Sequence, residues 1–200
     1  MKDVLIATRN QSKIAEISAW FQKEGIPFKT LQDFSDAPDV EETGETFEEN
    51  AKLKARSYFA MTGLPSLADD GGFEIDALGG LPGVRSKRWV YEGRDATDEE
   101  IVTHTIKCLK EIPDGKRTAR LRTILALYDG ETYNCGDASI EGVVVHTPVP
   151  FASGFPYRGL LFIPQFGKMY GALSEEQHEA VNHRRKALEK LKPRLLQVSR

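Results

Sequence analysis

The chain has 200 residues, of which 40% are hydrophobic and 28% charged, with a formal net charge of −3. That length can bury a real core, as one domain or as a body with a small lobe. The acidic balance argues against a general nucleic-acid binder, which carries a basic surplus, although local lysines still decide whether a phosphorylated small molecule binds. Cys108 and Cys135 are too few and too far apart for a disulfide framework or a zinc site, and read as buried free thiols in a reducing compartment. The amino terminus enters an apolar strand directly, so no signal peptide and no membrane span are expected, and the cytoplasm is the default location.

In chain order, the apolar run Val4-Leu5-Ile6-Ala7 reads as a strand that ends abruptly in Thr8-Arg9-Asn10-Gln11-Ser12-Lys13. A helix follows, with Ile14, Ile17, Trp20 and Phe21 spaced to share one face. A short strand is expected over Pro27 to Leu31, then an acidic irregular stretch from Asp33 to Glu45. Thr46 and Glu49 form a capping box for a helix running to about Met61. Asp69-Asp70-Gly71-Gly72 follows, with a strand expected over Phe73 to Leu78 and a loop over Gly79 to Gly83. Thr97 with Glu100 opens another helix, ending near Pro113. Two long β-rich stretches, Ala119 to Asp129 and Glu131 to His146, meet at the turn signal Asp129-Gly130. A strand over Leu160 to Ile163 and a helix beginning near Ala180 complete the chain, and Ser174 with Gln177 has the spacing of a third capping box. The mixture of early alternation and a late hairpin favours α/β with a mixed sheet.

Four clusters carry chemistry. Strand, polar turn and helix at Thr8 to Lys13 point free backbone N–H groups at an anion, and Lys13 adds a point charge suited to phosphate. Glu42 and Asp70 are hard oxygen donors that, with phosphate oxygens, suit Mg²⁺. A carboxylate beside a metal can also accept a proton from attacking water. Gly71 and Gly72 would let backbone approach a phosphate, and Lys54 would neutralise its charge. The fourth cluster is Asn182-His183-Arg184. Each has a duller explanation. Asn10 can be a mere N-cap with Lys13 solvated, the acidic run a solvated loop, Asp69 to Gly72 a turn, Lys54 a member of a surface pair, and His183-Arg184 part of an exposed basic helix.

The patterns Ala7-Thr8-x-Asn10-x-x-Lys13, Glu42-Thr43-Gly44-x-Thr46-Phe47-x-Glu49-Asn50-Ala51-x-x-Lys54-Ala55, Ala68-Asp69-Asp70-x-Gly72 and Gly79-Gly80-x-Pro82-Gly83 resemble the inosine triphosphate pyrophosphatase family, nearly end to end. The resemblance implies an elongated α/β fold of one domain over residues 1–200, with a long mixed central sheet, two lobes and a cleft between them. It also implies a homodimer and a Mg²⁺-dependent hydrolysis of a nucleoside triphosphate to monophosphate and pyrophosphate. By matching position, Thr8, Asn10, Lys13 and Lys54 would contact the triphosphate. Glu42 and Asp70 would serve the metal, Asp70 would accept the proton from water, and His183 and Arg184 would lie at the base.

The chain departs from that pattern. Arg9 replaces a glycine of the first loop, and Gly71 replaces a hydroxyl residue. Phe155-Pro156-Tyr157-Arg158-Gly159 stands for Phe-Gly-Tyr-Asp-Pro, so Arg158 reverses the charge of a pocket aspartate. His178 stands for a lysine and Asn182 for a serine. Unpaired buried groups cost about 1–3 kcal/mol each, so these changes point to a revised base preference with hydrolysis retained. The rival reading is a nucleotide-binding or regulatory protein that has lost catalysis.

Overall fold

The computed structural model describes every residue except 1, 35, 36, 87 and 92. Its first strand, β1 (Val4–Ile6), is buried throughout, as a parallel strand covered on both faces must be. Asn10 ends the following turn and caps α1 (Gln11–Glu24), its side-chain oxygen accepting from the Ser12 N–H at 3.0 Å and the Lys13 N–H at 3.2 Å. Ile17, Trp20 and Phe21 form the buried face of that helix, which stops at Gly25 with φ 69°. The next strand, β2, is confined to Phe28–Thr30 because Leu31 opens a short 3₁₀ turn. Helix α2 (Phe47–Thr62) starts at the expected capping box of Thr46 and Glu49.

Strand β3 departs from expectation. It runs unbroken over Ser66–Ile75, carrying Asp69, Asp70, Gly71 and Gly72 within it, and residues 76–78 form a 3₁₀ turn instead of strand. Turn-forming residue types are overridden here because Leu67, Ala68, Phe73 and Ile75 are all buried and the acids find cationic partners. Helix α3 (Asp98–Cys108) has the Thr97–Glu100 capping box. Strands β4 (Thr118–Tyr128) and β5 (Tyr133–Val144) flank the Asp129 turn, where Asp129 accepts from the backbone N–H groups of Glu131 and Thr132 at 3.0 and 2.9 Å. Strand β6 (Leu161–Ile163) and the two-residue β7 (Lys168–Met169) follow, the latter unforeseen. The last helical region is two helices. One, α4 (Glu175–Val181), has the Ser174–Gln177 capping box, and the other, α5 (His183–Val198), is separated from it by Asn182, whose backbone (φ −51°, ψ 103°) is not helical.

The strands form one mixed sheet in the order β2-β1-β3-β4-β5-β6-β7. Parallel pairing joins β1 to β2 and β3, and antiparallel pairing joins β5 to β6 and β6 to β7. The chain packs as two compact units, one of Met1–Gly71, Thr123–Ala138 and His183–Arg200, the other of Gly72–Arg122 and Ser139–Asn182. The first has a core around Ile6, Phe21, Leu67, Leu125 and Leu188. The second has one around Phe73, Ile101, Ile140, Leu161 and Tyr157. Cys108 and Cys135 are free, but both are exposed, which corrects the expectation of buried thiols. Cys135 occupies the outward register of β5, beside buried Gly136, and Cys108 ends α3 with its thiol 3.4 Å from His104.

One close approach sets the seat of α5. A Cβ on Gly136 would lie 2.3 Å from the Ala187 carbonyl oxygen and 3.2 Å from Leu191 Cγ. The backbone of β5 therefore touches the first turns of the helix that carries Arg184. Gly136→Ala is expected to cost about 1–3 kcal/mol by overpacking, read as a lower urea midpoint at constant m-value. An unchanged midpoint would mean that α5 has room to move.

Candidate active site

Asp69 and Asp70 are consecutive residues of β3, so their side chains leave opposite faces of the strand. Just beyond the end of β1, whose Ile6 is in register with Leu67, they meet two different environments.

Asp69 is almost wholly buried and is met by three donors. Arg184 Nε lies 2.7 Å from its Oδ2, Thr123 Oγ1 donates to the same oxygen at 3.0 Å, and the Lys13 ammonium pairs with Oδ1. Burial alone would raise its pKa, but Lys13 and Arg184 outweigh burial and hold the carboxyl well below the usual range. Arg184 also pairs with Glu16 of α1, and these anions hold its pKa up against burial. Asp69 is therefore a permanent anion around which Lys13, Arg184 and Thr123 are arranged.

Asp70 is buried as well, and its pKa is raised. Burial is the main cause and the nearby Glu42 adds to it, opposed by Lys54, Lys13 and a hydrogen bond from Asn50. The Lys54 ammonium lies 2.7 Å from Glu42 Oε1 and 3.4 Å from Asp70 Oδ1, so one cation joins both carboxylates. Burial pulls the Lys54 pKa down, but Asp70 and Glu42 more than offset it and the group stays charged. Two adjacent carboxylates are thus pushed in opposite directions, Asp69 toward its ionised form and Asp70 toward its protonated one.

The first unit thus holds Thr8, Arg9, Asn10, Lys13, Glu42, Lys54, Asp70, Gly71, His183 and Arg184. Thr8 Oγ1 accepts from the Asn10 N–H at 3.3 Å. Lys13 is not a solvated first-turn lysine, since Asp69 binds it. Lys54 is paired with Glu42 and Asp70, residues outside its own helix. Arg9 turns to the acidic segment, donating to the Ala37 carbonyl and lying 2.6 Å from Asp39. Gly71 is half-buried within β3. His183 is the first residue of α5 and Arg184 the second.

Phe155, Pro156, Tyr157, Arg158, His178 and Asn182 belong to the second unit. Residues Pro156–Gly159 form a 3₁₀ turn, and Tyr157 stacks on Phe73 with centroids 4.6 Å apart. The Arg158 guanidinium lies 3.9 Å from the centre of the Phe155 ring and 5.5 Å from that of Tyr170. His178 meets Tyr170 edge-on at 4.8 Å. Burial first, and then the Arg158 charge, lower the His178 pKa, so its imidazole is neutral at pH 7. Asn182 separates α4 from α5.

Sequence reasoning left Asp69, Asn50, Glu16 and Thr123 without roles. A signal existed for Glu16, which is one helical turn from Lys13 on the same face. None existed for Thr123, whose partner is distant in the chain. Among the described residues no group of three or more His, Cys, Asp or Glu side chains gathers in the manner of an all-protein metal cage. The pair Glu42 and Asp70 instead has the donor number expected where substrate oxygens and water complete a Mg²⁺ shell.

The chain is an α/β protein whose lysines and carboxylates gather at the carboxyl end of the parallel strand β1, the position at which open α/β sheets offer room for a ligand. The chain belongs to the Ham1 family, whose pattern matches residues 4–194. A dITP/XTP pyrophosphatase of Geobacillus kaustophilus is 41% identical over 96% of this chain and 93% of its own. One from Geobacter sulfurreducens is 41% identical over 98% of this chain and 97% of its own. Among solved structures, a HAM1 protein from Coxiella burnetii is similar with a TM-score of 0.87 and 34% identity, covering 98% of this chain and all (100%) of that one.

Proposed function

We propose that this protein hydrolyses a purine nucleoside triphosphate to the monophosphate and pyrophosphate. The observation that carries the reading is the convergence of Glu42 and Asp70 on one ammonium, that of Lys54, beside the Lys13 loop. The full-length similarity to dITP/XTP pyrophosphatases supports it. In this reading Lys13, Lys54 and the backbone N–H groups at the start of α1 neutralise and orient the phosphate chain. Asp70, with its raised proton affinity, takes a proton from the water that attacks the α-phosphorus, and pyrophosphate leaves. Asp69 keeps Lys13 and Arg184 in place. Glu42 and Asp70 would hold Mg²⁺, which supplies charge neutralisation for the departing pyrophosphate.

The base preference is proposed to be revised. Where the family pattern has an acid, Arg158 presents a guanidinium braced by Phe155, and His178 offers a neutral ring where the pattern has a lysine. A panel of ordinary, deaminated and modified triphosphates, assayed for pyrophosphate with and without Mg²⁺, tests both parts. Mg²⁺-dependent release of equal amounts of pyrophosphate and monophosphate is expected. Saturable binding with no pyrophosphate from any triphosphate would establish the rival binding role. A clear preference for inosine and xanthosine triphosphates would overturn the revised base reading.

A further inference from the structure

We infer that Arg184 is a positioning residue for the phosphate end of the proposed site: clasped between Glu16 of α1 and Asp69 of β3, it fixes the carboxylate that holds Lys13, and so acts on every triphosphate alike instead of reading the base. The inference rests on the hydrolase reading above.

Two helices begin at this cluster, and each carries a cation but no acid in its first turn: Lys13 in α1 and Arg184 in α5. A cation is disfavoured at a helix N-terminus, so the compensating anions must come from other elements. Asp69 supplies one to both helices. Its Oδ1 takes the Lys13 ammonium, and its Oδ2 accepts from Arg184 Nε at 2.7 Å and from Thr123 Oγ1 at 3.0 Å. The terminal torsion of an aspartate is broad, so the carboxylate has no fixed plane of its own. Two donors on Oδ2 set that plane and leave Oδ1 facing Lys13.

Arg184 is itself held from a second side. Its Nη1 donates to Glu16, one helical turn after Lys13, so the charges close a ring: Lys13, Asp69, Arg184, Glu16 and back through α1. The ring lies at one end of a longer seam. Glu16, Trp20 and Glu24 on successive turns of α1 meet Arg184, Glu189 and Lys192 of α5 in the same order, with Trp20 Nε1 donating to Glu189 at 2.9 Å and Lys192 lying 2.5 Å from Glu24. Ile17, Phe21, Leu188 and Leu191 of the same two helices are buried in one core. The direction of Arg184 is therefore set by helix packing. Its Nε and Nη1 are both engaged with carboxylates and its side chain is 11% exposed, so it offers little face for a base to stack on. A lysine could not take its place, because one ammonium lacks the planar fork that serves two carboxylates at once.

The test compares the unaltered chain with Arg184→Lys and Glu16→Gln. Affinity for inorganic tripolyphosphate, which has no base, is read by calorimetry, together with kcat and KM for a panel of triphosphates and the melting temperature. Both variants are expected to bind tripolyphosphate about tenfold more weakly, the effect of losing one charge-assisted hydrogen bond. KM should rise by a similar factor for every triphosphate, with kcat changed by less than about threefold. Glu16→Gln gives the sharper sign. It removes a negative charge one turn from Lys13, which by Coulomb attraction alone would tighten the binding of an anion, so weaker binding in a folded variant reports lost positioning. The Glu16 side chain is 30% exposed and this variant keeps both cations, so it decides the question if Arg184→Lys does not fold. Unchanged or tighter tripolyphosphate binding in Glu16→Gln would overturn the inference. So would a loss of kcat/KM in either variant that falls more than about fivefold harder on one base than on another. A lower melting temperature with unaltered tripolyphosphate affinity would assign the ring to stability alone and overturn it too. An unaltered chain that binds triphosphates but releases no pyrophosphate would sink the hydrolase reading, while the tripolyphosphate affinities would still decide the role of Arg184.

Discussion

Asp69→Asn is expected to lower the unfolding free energy by about 3–5 kcal/mol, the range seen when one partner of a buried ion pair is removed. The carboxylate is the shared acceptor for Lys13, Arg184 and Thr123, and its own side chain is only 1% exposed. An amide of the same shape removes the charge and turns a hydrogen-bond donor toward two cations. Glu16 would still hold Arg184, but Lys13, whose side chain is 23% exposed, would face a neutral group at its buried end. For a chain of this size each kcal/mol lowers the melting temperature by about 2–4 °C, so a fall on the order of 10 °C is anticipated by calorimetry. A loss below about 1 kcal/mol would show that solvent already screens the cluster. The hub position of Asp69 would then be wrong.

This residue also shows where the sequence stops being informative. Helix starts were legible because capping is local: Asn10, Thr46 with Glu49, Thr97 with Glu100 and Ser174 with Gln177 all cap the helices they announced. The turn at Asp129 was legible for the same reason, and the mixed sheet from the order of the elements, early alternation followed by a late hairpin. The continuity of β3 through Asp69 and Asp70 was not, since acids and glycines mimic a turn until distant cations accommodate them. Thr123 and Arg184 stand 54 and 115 positions from Asp69 in the chain, separations over which no local pattern carries information. The break between α4 and α5 at Asn182 escaped because helical periodicity continues across it. At the site, Glu42, Asp70 and Lys54 could be nominated by residue type. Asp69, which holds Lys13 and Arg184, could be assigned its role only once the chain was folded.

The division of labour between the two aspartates can be tested by its sign. Asp70→Asn is expected to do the opposite of Asp69→Asn in stability and far more damage in turnover. Asp70 is buried beside Glu42, a like charge, and both burial and that neighbour resist its ionisation, so its raised pKa records a cost of carrying the charge. For a carboxylate whose proton affinity is higher in the folded state, ionisation destabilises the fold at pH above its ordinary value, and a neutral amide removes that cost. Without added metal the variant should therefore melt at or slightly above the temperature of the parent, with Lys54 still held by Glu42. Its kcat should fall by about 10²–10⁴-fold, the contribution of a positioned general base, because an amide cannot accept the proton from water. Binding of a non-hydrolysable triphosphate, measured by calorimetry with Lys13 and Lys54 intact, should change by less than about tenfold, so the loss lies in the chemical step. Near-parental turnover in Asp70→Asn would take the proton-accepting role away from this residue. A destabilisation matching that of Asp69→Asn would show that Asp70 serves the fold as its neighbour does, and that the two environments on either face of β3 are not distinct.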